Sequence, residues 1–134
     1  FSLAIAKHGS IVIGVEGSQD LIFRARQNAE NNGLLQNCEF RVGNLFEENC
    51  PSYEQLGPVD KLLIDPPRDG AFELVKAISG DGPRRIVYVS CNPSTLARDA
   101  GILVHEMGYR LTSASIVNMF PHTSHVESIA SFEK

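Results

Sequence analysis

Short β-branched runs recurring between longer helix-forming stretches constrain this chain more than any other feature. Ile11-Val12-Ile13-Gly14-Val15-Glu16, Cys38 to Val42, Asp60 to Asp65 around Leu62-Leu63-Ile64, and Arg85 to Ser90 around Ile86-Val87-Tyr88-Val89 read as buried strands. Between the first two, Ser18 is placed to cap a helix with Asp20 in its first turn. Leu21, Ile22, Ala25 and Ala29 form its apolar stripe, and Gly33 stops it. Phe72 to Ile78 is a second helix, followed by the turn Gly80-Asp81-Gly82-Pro83, and Ser94–Met107 is a third, ended by Gly108. Glu47 to Pro58 carries two prolines and a glycine and reads as a loop or an irregular short helix. Strands spaced by helices specify βαβ units, hence an α/β fold with a mostly parallel sheet covered on both faces. Two further strands, near Tyr109–Met119 and Val126–Phe132, have no room for a crossover helix between them and are expected to pair antiparallel.

At the front, Phe1, Leu3, Ile5 and Ala6 ahead of Gly9 have the spacing of the last turns of a helix. The chain opens inside this apolar pattern without a methionine, so it reads as part of something longer. Its 134 residues make one domain, and 43% hydrophobic residues suffice for a core. No run reaches the eighteen apolar residues of a membrane span, and no leader peptide is expected. Cys38, Cys50 and Cys91 are odd in number and lack paired spacing, which argues against a disulfide framework and for a reduced, cytoplasmic setting. A net charge of −4 argues against a self-sufficient nucleic-acid grip, which is normally basic.

In open α/β sheets ligands gather at the carboxyl ends of the strands, where Glu16, Asn44, Asp65 and Cys91 stand. Glu16 could accept both hydroxyls of a ribose, or simply face the dipole of the next helix. Asn44 could read an adenine edge or cap a turn. Gly14 and Gly43 belong to no phosphate-cradling glycine motif. In Asp65-Pro66-Pro67-Arg68 the paired prolines impose a stiff turn that presents the aspartate at the sheet edge; the plainer reading is a salt bridge from Asp65 to Arg68.

Cys91 is the sharpest candidate. It precedes Asn92-Pro93, a cap followed by a first-turn proline, so its sulfur lies at the positive end of a helix that favours an anionic nucleophile. The alternative is a small core residue, as Cys38 in a strand and Cys50 in a loop would be. Glu127, at the start of the last strand, could move a proton or be a solvated strand residue. His122 and His125 lack a third ligand at metal-binding spacing, so no metal is expected.

Val87-Tyr88-Val89-Ser90-Cys91-Asn92-Pro93-Ser94-Thr95-Leu96-Ala97-Arg98-Asp99 resembles the nucleophile motif of the RNA uracil-5-methyltransferases. Asp65-Pro66-Pro67-Arg68 and Met119-Phe120-Pro121-His122-Thr123-Ser124-His125-Val126-Glu127-Ser128 resemble two further motifs of that family, in the same order and spacing. The wording of the last is closest to the 23S ribosomal RNA branch. The resemblance implies a Rossmann-like class I methyltransferase fold using S-adenosylmethionine, with an RNA substrate, ribosomal or transfer. It makes Cys91 the nucleophile, Glu127 the general base, and Glu16, Asn44 and Asp65 contacts to S-adenosylmethionine. It also implies that residues 1–134 are part of a catalytic domain whose first strand, glycine-rich cofactor loop and N-terminal RNA-binding domain precede Phe1, so that the chain alone is inactive. An RNA cytosine-5-methyltransferase, which also forms a thiol adduct, and an inert docking fragment are the alternatives.

Overall fold

The computed structural model describes the chain except residues 49, 79, 120, 124 and 125, and describes residues 51 and 52 by their backbone alone. It divides into two compact units, Phe1–Leu45 and Phe46–Lys134. Among the described residues, no helix is long and apolar enough to cross a membrane.

The first unit begins with a short helix, α1 (Ser2–Ala6), followed by strand β1 (Val12–Glu16), helix α2 (Gln19–Asn31) and strand β2 (Cys38–Val42). The Ser18 hydroxyl accepts from the Leu21 amide at 3.4 Å and caps α2. Gly33, at φ +66°, turns the chain out of the helix, and Leu34 then donates back to the Ala29 carbonyl at 2.8 Å. Ile22 and Ala29, seven residues apart and so on one helix face, are buried against Cys38 and Phe40. Leu21 departs from the expected apolar stripe and is 47% exposed. It stands a third of a turn from Ile22, at the margin of the buried face. Strands β1 and β2 pair in parallel from Val12↔Cys38 to Glu16↔Val42, as the two strands of a βαβ unit joined through α2 do.

The second unit contains α3 (Pro51–Glu54), β3 (Lys61–Ile64), α4 (Phe72–Ala77), β4 (Arg85–Ser90), α5 (Pro93–His105), β5 (Arg110–Val117) and β6 (Glu127–Glu133). The ambiguous stretch from Glu47 to Pro58 thus includes a single helical turn. Its four strands are ordered β3-β4-β6-β5. β3 and β4 are parallel, whereas β6 is antiparallel to both of its neighbours. The expected antiparallel last strand is therefore inserted between β4 and β5 rather than added at the rim. Alternate residues Ser128, Ala130 and Phe132 of β6 are buried, facing the same side as their partners Ser90, Tyr88 and Ile86. Every residue of β5 is exposed, as befits the edge. A bulge at Thr112 lies between the pairs Leu111↔Phe132 and Ser113↔Ser131, and its hydroxyl donates to the Ser131 carbonyl at 3.0 Å. Among the described residues β1 pairs only with β2 and β3 only with β4.

Candidate active site

Each unit gathers its candidate residues at one end of its own sheet. In the first, Glu16 closes β1 and Asn44 follows β2, and the Gly43 amide donates to the Glu16 carbonyl at 3.1 Å. Parallel pairing brings these two carboxyl ends together. The exposed Glu16 carboxylate takes one backbone bond, from the Ser18 amide to Oε1 at 3.0 Å. The helix-entry role therefore occupies one oxygen without burying the group. Glu16 also borders a cleft of about 210 Å³ that reaches Gly14, Val15, Leu21 and Phe40. An acidic residue on the rim of a partly apolar cleft suits a ribose beside a flat ring. Asn44 is exposed.

In the second unit the strand directions decide the geometry. The carboxyl ends of the parallel β3 and β4 fall at the same edge as the amino end of the antiparallel β6. Asp65 immediately follows β3, Cys91 immediately follows β4, and Glu127 opens β6. The last β4–β6 pair is Ser90↔Ser128, and Cys91 and Glu127 are the next residues beyond it in the two segments. Cys91 and Glu127 thus flank the last pair at one edge of the sheet.

The start of α5 keeps Cys91 there. Asn92 is extended at φ −131° and its Oδ1 accepts from the Ser94 amide at 3.1 Å, with Pro93 as the first helical residue. The Ser90 hydroxyl accepts from the Asn92 amide and donates to the Asn92 carbonyl, each at 3.0 Å. Cys91 is half-buried, whereas Cys38 and Cys50 are buried. Burial pushes the Cys50 thiol up from its ordinary pKa. Of the three sulfurs, only that of Cys91 combines partial exposure with a strand-to-helix junction.

Asp65, Pro67 and Arg68 are exposed. The Arg68 carbonyl accepts from Asn92 Nδ2 at 3.0 Å and from the Thr95 hydroxyl at 3.2 Å. The Asp65 turn is therefore fastened to the beginning of α5, a link that no motif spacing announces. His122 has a positive φ of 68°, and His125 lies outside the described residues.

Asp99 closes the motif around Cys91, and its place on α5 shows a feature to which the sequence motif assigns no role. Leu96, Asp99, Ile102 and Leu103 are the buried residues of α5, so an ionisable group occupies its apolar stripe. It is 0% exposed.

A family model described as tRNA (Uracil-5-)-methyltransferase matches residues 52–134. The 23S rRNA (uracil(1939)-C(5))-methyltransferase RlmD of Dechloromonas aromatica is 63% identical over 99% of this chain, and that of Chromobacterium violaceum is 58% identical over the whole of this chain. The chain spans 31% and 26% of the lengths of these two relatives. The crystal structure of Pyrococcus abyssi tRNA (uracil-54, C5)-methyltransferase in complex with S-adenosyl-L-homocysteine superimposes with a TM-score of 0.82 at 37% identity, covering 98% of this chain and 31% of that one.

Proposed function

Since the chain belongs to the tRNA (uracil-5-)-methyltransferase family, we propose that the full-length protein methylates carbon 5 of a uridine in 23S ribosomal RNA, with S-adenosylmethionine as the methyl donor. The architecture is the Rossmann-like methyltransferase fold. The observation that supports the reading is that Asp65, Cys91 and Glu127 all stand at the same edge of the sheet, where β3 and β4 end and β6 begins. Identities of 58–63% to ribosomal RNA enzymes, against 37% to the transfer RNA enzyme, favour the ribosomal substrate.

Carbon 5 of uracil is a weak nucleophile, so the ring must first be activated. The Cys91 thiolate adds to carbon 6, forming an S–C bond and pushing the ring's electron pair towards carbon 5. The bound cofactor supplies an electrophilic methyl group on a sulfonium. Glu127 then removes the proton that carbon 5 still carries; the carbon 5–carbon 6 double bond re-forms and the sulfur leaves as thiolate. A base flipped out of the RNA can be approached in this way from two neighbouring strands. Glu16, Asn44 and Asp65 are assigned to cofactor contacts, a role suited to exposed acceptors at strand ends. The cleft beside Glu16 is consistent with that assignment.

The deciding experiment incubates full-length protein with 23S RNA fragments containing 5-fluorouridine, whose carbon 5 has no proton to give up. A covalent protein–RNA complex that persists on a denaturing gel and disappears in Cys91→Ala is expected. Equal trapping by Cys91→Ala would remove the cysteine from this role.

A further inference from the structure

We propose that Asp99 is a positioning residue for this reaction, tying the turn that carries Asp65 to the strand and helix that flank Cys91. The inference rests on the roles given above to Asp65 and Cys91. Pro66 and Pro67 lack amide hydrogens, so the turn's backbone donors all come from the residues around them, and the Pro67 carbonyl accepts from the Gly70 amide at 3.0 Å. Arg68 is held through its carbonyl by Asn92 and Thr95, and the Asp69 carbonyl accepts from Arg98 Nη2 at 2.9 Å. The Ala71 amide donates to Asp99 Oδ2 at 2.7 Å. Asn92, Thr95 and Arg98 recur every third residue and lie along one side of α5, so consecutive backbone groups of the turn are laid down the helix.

Asp99 is where these contacts meet. Its Oδ2 also accepts from the Tyr88 hydroxyl of β4 at 2.6 Å, and its Oδ1 accepts from Arg98 Nε at 2.8 Å. One carboxylate therefore joins the turn after β3, the strand leading to Cys91, and the helix leading away from it. Gly70 permits the approach: at φ +83°, a Cβ there would fall 2.6 Å from Arg98 Nη2 and 2.7 Å from Asp99 Oδ2. A buried polar side chain is costly to desolvate, and the three bonds that Asp99 accepts, from Ala71, Tyr88 and Arg98, constrain how the three segments sit relative to one another. Here the geometry fixed is that between Asp65 and Cys91.

Three variants of the full-length protein separate positioning from folding. At saturating RNA and cofactor, single-turnover methyl transfer should fall about tenfold or more in Asp99→Asn and about threefold or more in Arg98→Gln, with the RNA Kd held within about twofold. Tyr88→Phe releases the strand from the same oxygen but keeps the bonds to the turn, and should slow methyl transfer by less than Asp99→Asn does. Hydrogen exchange at the Ala71 amide should accelerate in Asp99→Asn and not in Tyr88→Phe. Rates that follow the order of melting temperatures, or an Arg98→Gln enzyme at the parent rate, would overturn the proposal. Should Asp99→Asn fail to fold, Arg98→Gln carries the test, because its side chain is 44% exposed. A methylated product other than 5-methyluridine would refute the functional reading, while exchange at Ala71 would still decide whether Asp99 holds the turn.

Discussion

The Tyr88 hydroxyl donates to Asp99 at 2.6 Å, and neither side chain has any exposed surface. Burial and the adjacent carboxylate push the Tyr88 phenol far above its ordinary value. Tyr109, 2% exposed and donating to the Pro83 carbonyl at 2.6 Å, is pushed up to about 12, chiefly by burial. Both phenols are therefore neutral in the folded chain under conditions that ionise them in the unfolded one.

Alkaline stability follows from that difference. With folded values raised above unfolded ones, the stabilisation is complete below pH 10 and is lost as the pH rises from 10 through about 12 for Tyr109, and beyond that for Tyr88. The slope approaches about 1.4 kcal/mol per pH unit for each group. Urea unfolding between pH 9 and 12 should show this decline, and Tyr109→Phe should make it shallower. A flat profile would contradict the burial of these phenols.

Gly70→Ala tests the packing of the turn. Its φ of +83° and the close approach of Arg98 and Asp99 leave no room for a methyl group. A loss of about 1–3 kcal/mol is expected from chemical denaturation, together with slower methyl transfer. Gly101, whose surroundings are open, provides the control: Gly101→Ala should leave stability unchanged or slightly higher, because alanine favours the helix interior.

Glu127→Gln should separate the two halves of the reaction. Addition of Cys91 and transfer of the methyl group need no proton removed from carbon 5, whereas release does. Turnover should fall about 10²–10⁴-fold while a covalent complex with ordinary uridine RNA accumulates on a denaturing gel. Unchanged turnover would remove Glu127 from the role of base.

Arg85 and Glu133 form an ion pair across the β4–β6 ladder in which Arg85 is half exposed. Arg85→Ala should cost less than about 1 kcal/mol, since exposed pairs gain little over their separate hydration. Thermal melts in low and high salt would measure it.

Much of this was legible because it is local. Ser18 and Asn92 are caps recognisable from their neighbours, Gly33 ends its helix in the left-handed region, and Glu127 opens β6. Long-range choices were not legible. Nothing in the wording of β6 says that it slides between β4 and β5, because strand order depends on which edges remain open after the crossovers are made. The hold of Asp99 on Ala71 spans 28 residues. Its trace in the sequence was a carboxylate misplaced on an apolar stripe. The exposure of Leu21 was equally hidden, because a stripe's margin depends on what packs against it.

Strands β1 and β3 each keep one side of their backbone ladder unengaged among the described residues. Such rows of amides and carbonyls recruit any extended peptide that meets them. Produced in isolation, these 134 residues should therefore be sticky, forming dimers and larger species as concentration rises, and dilution or a fused solubilising partner should disperse them.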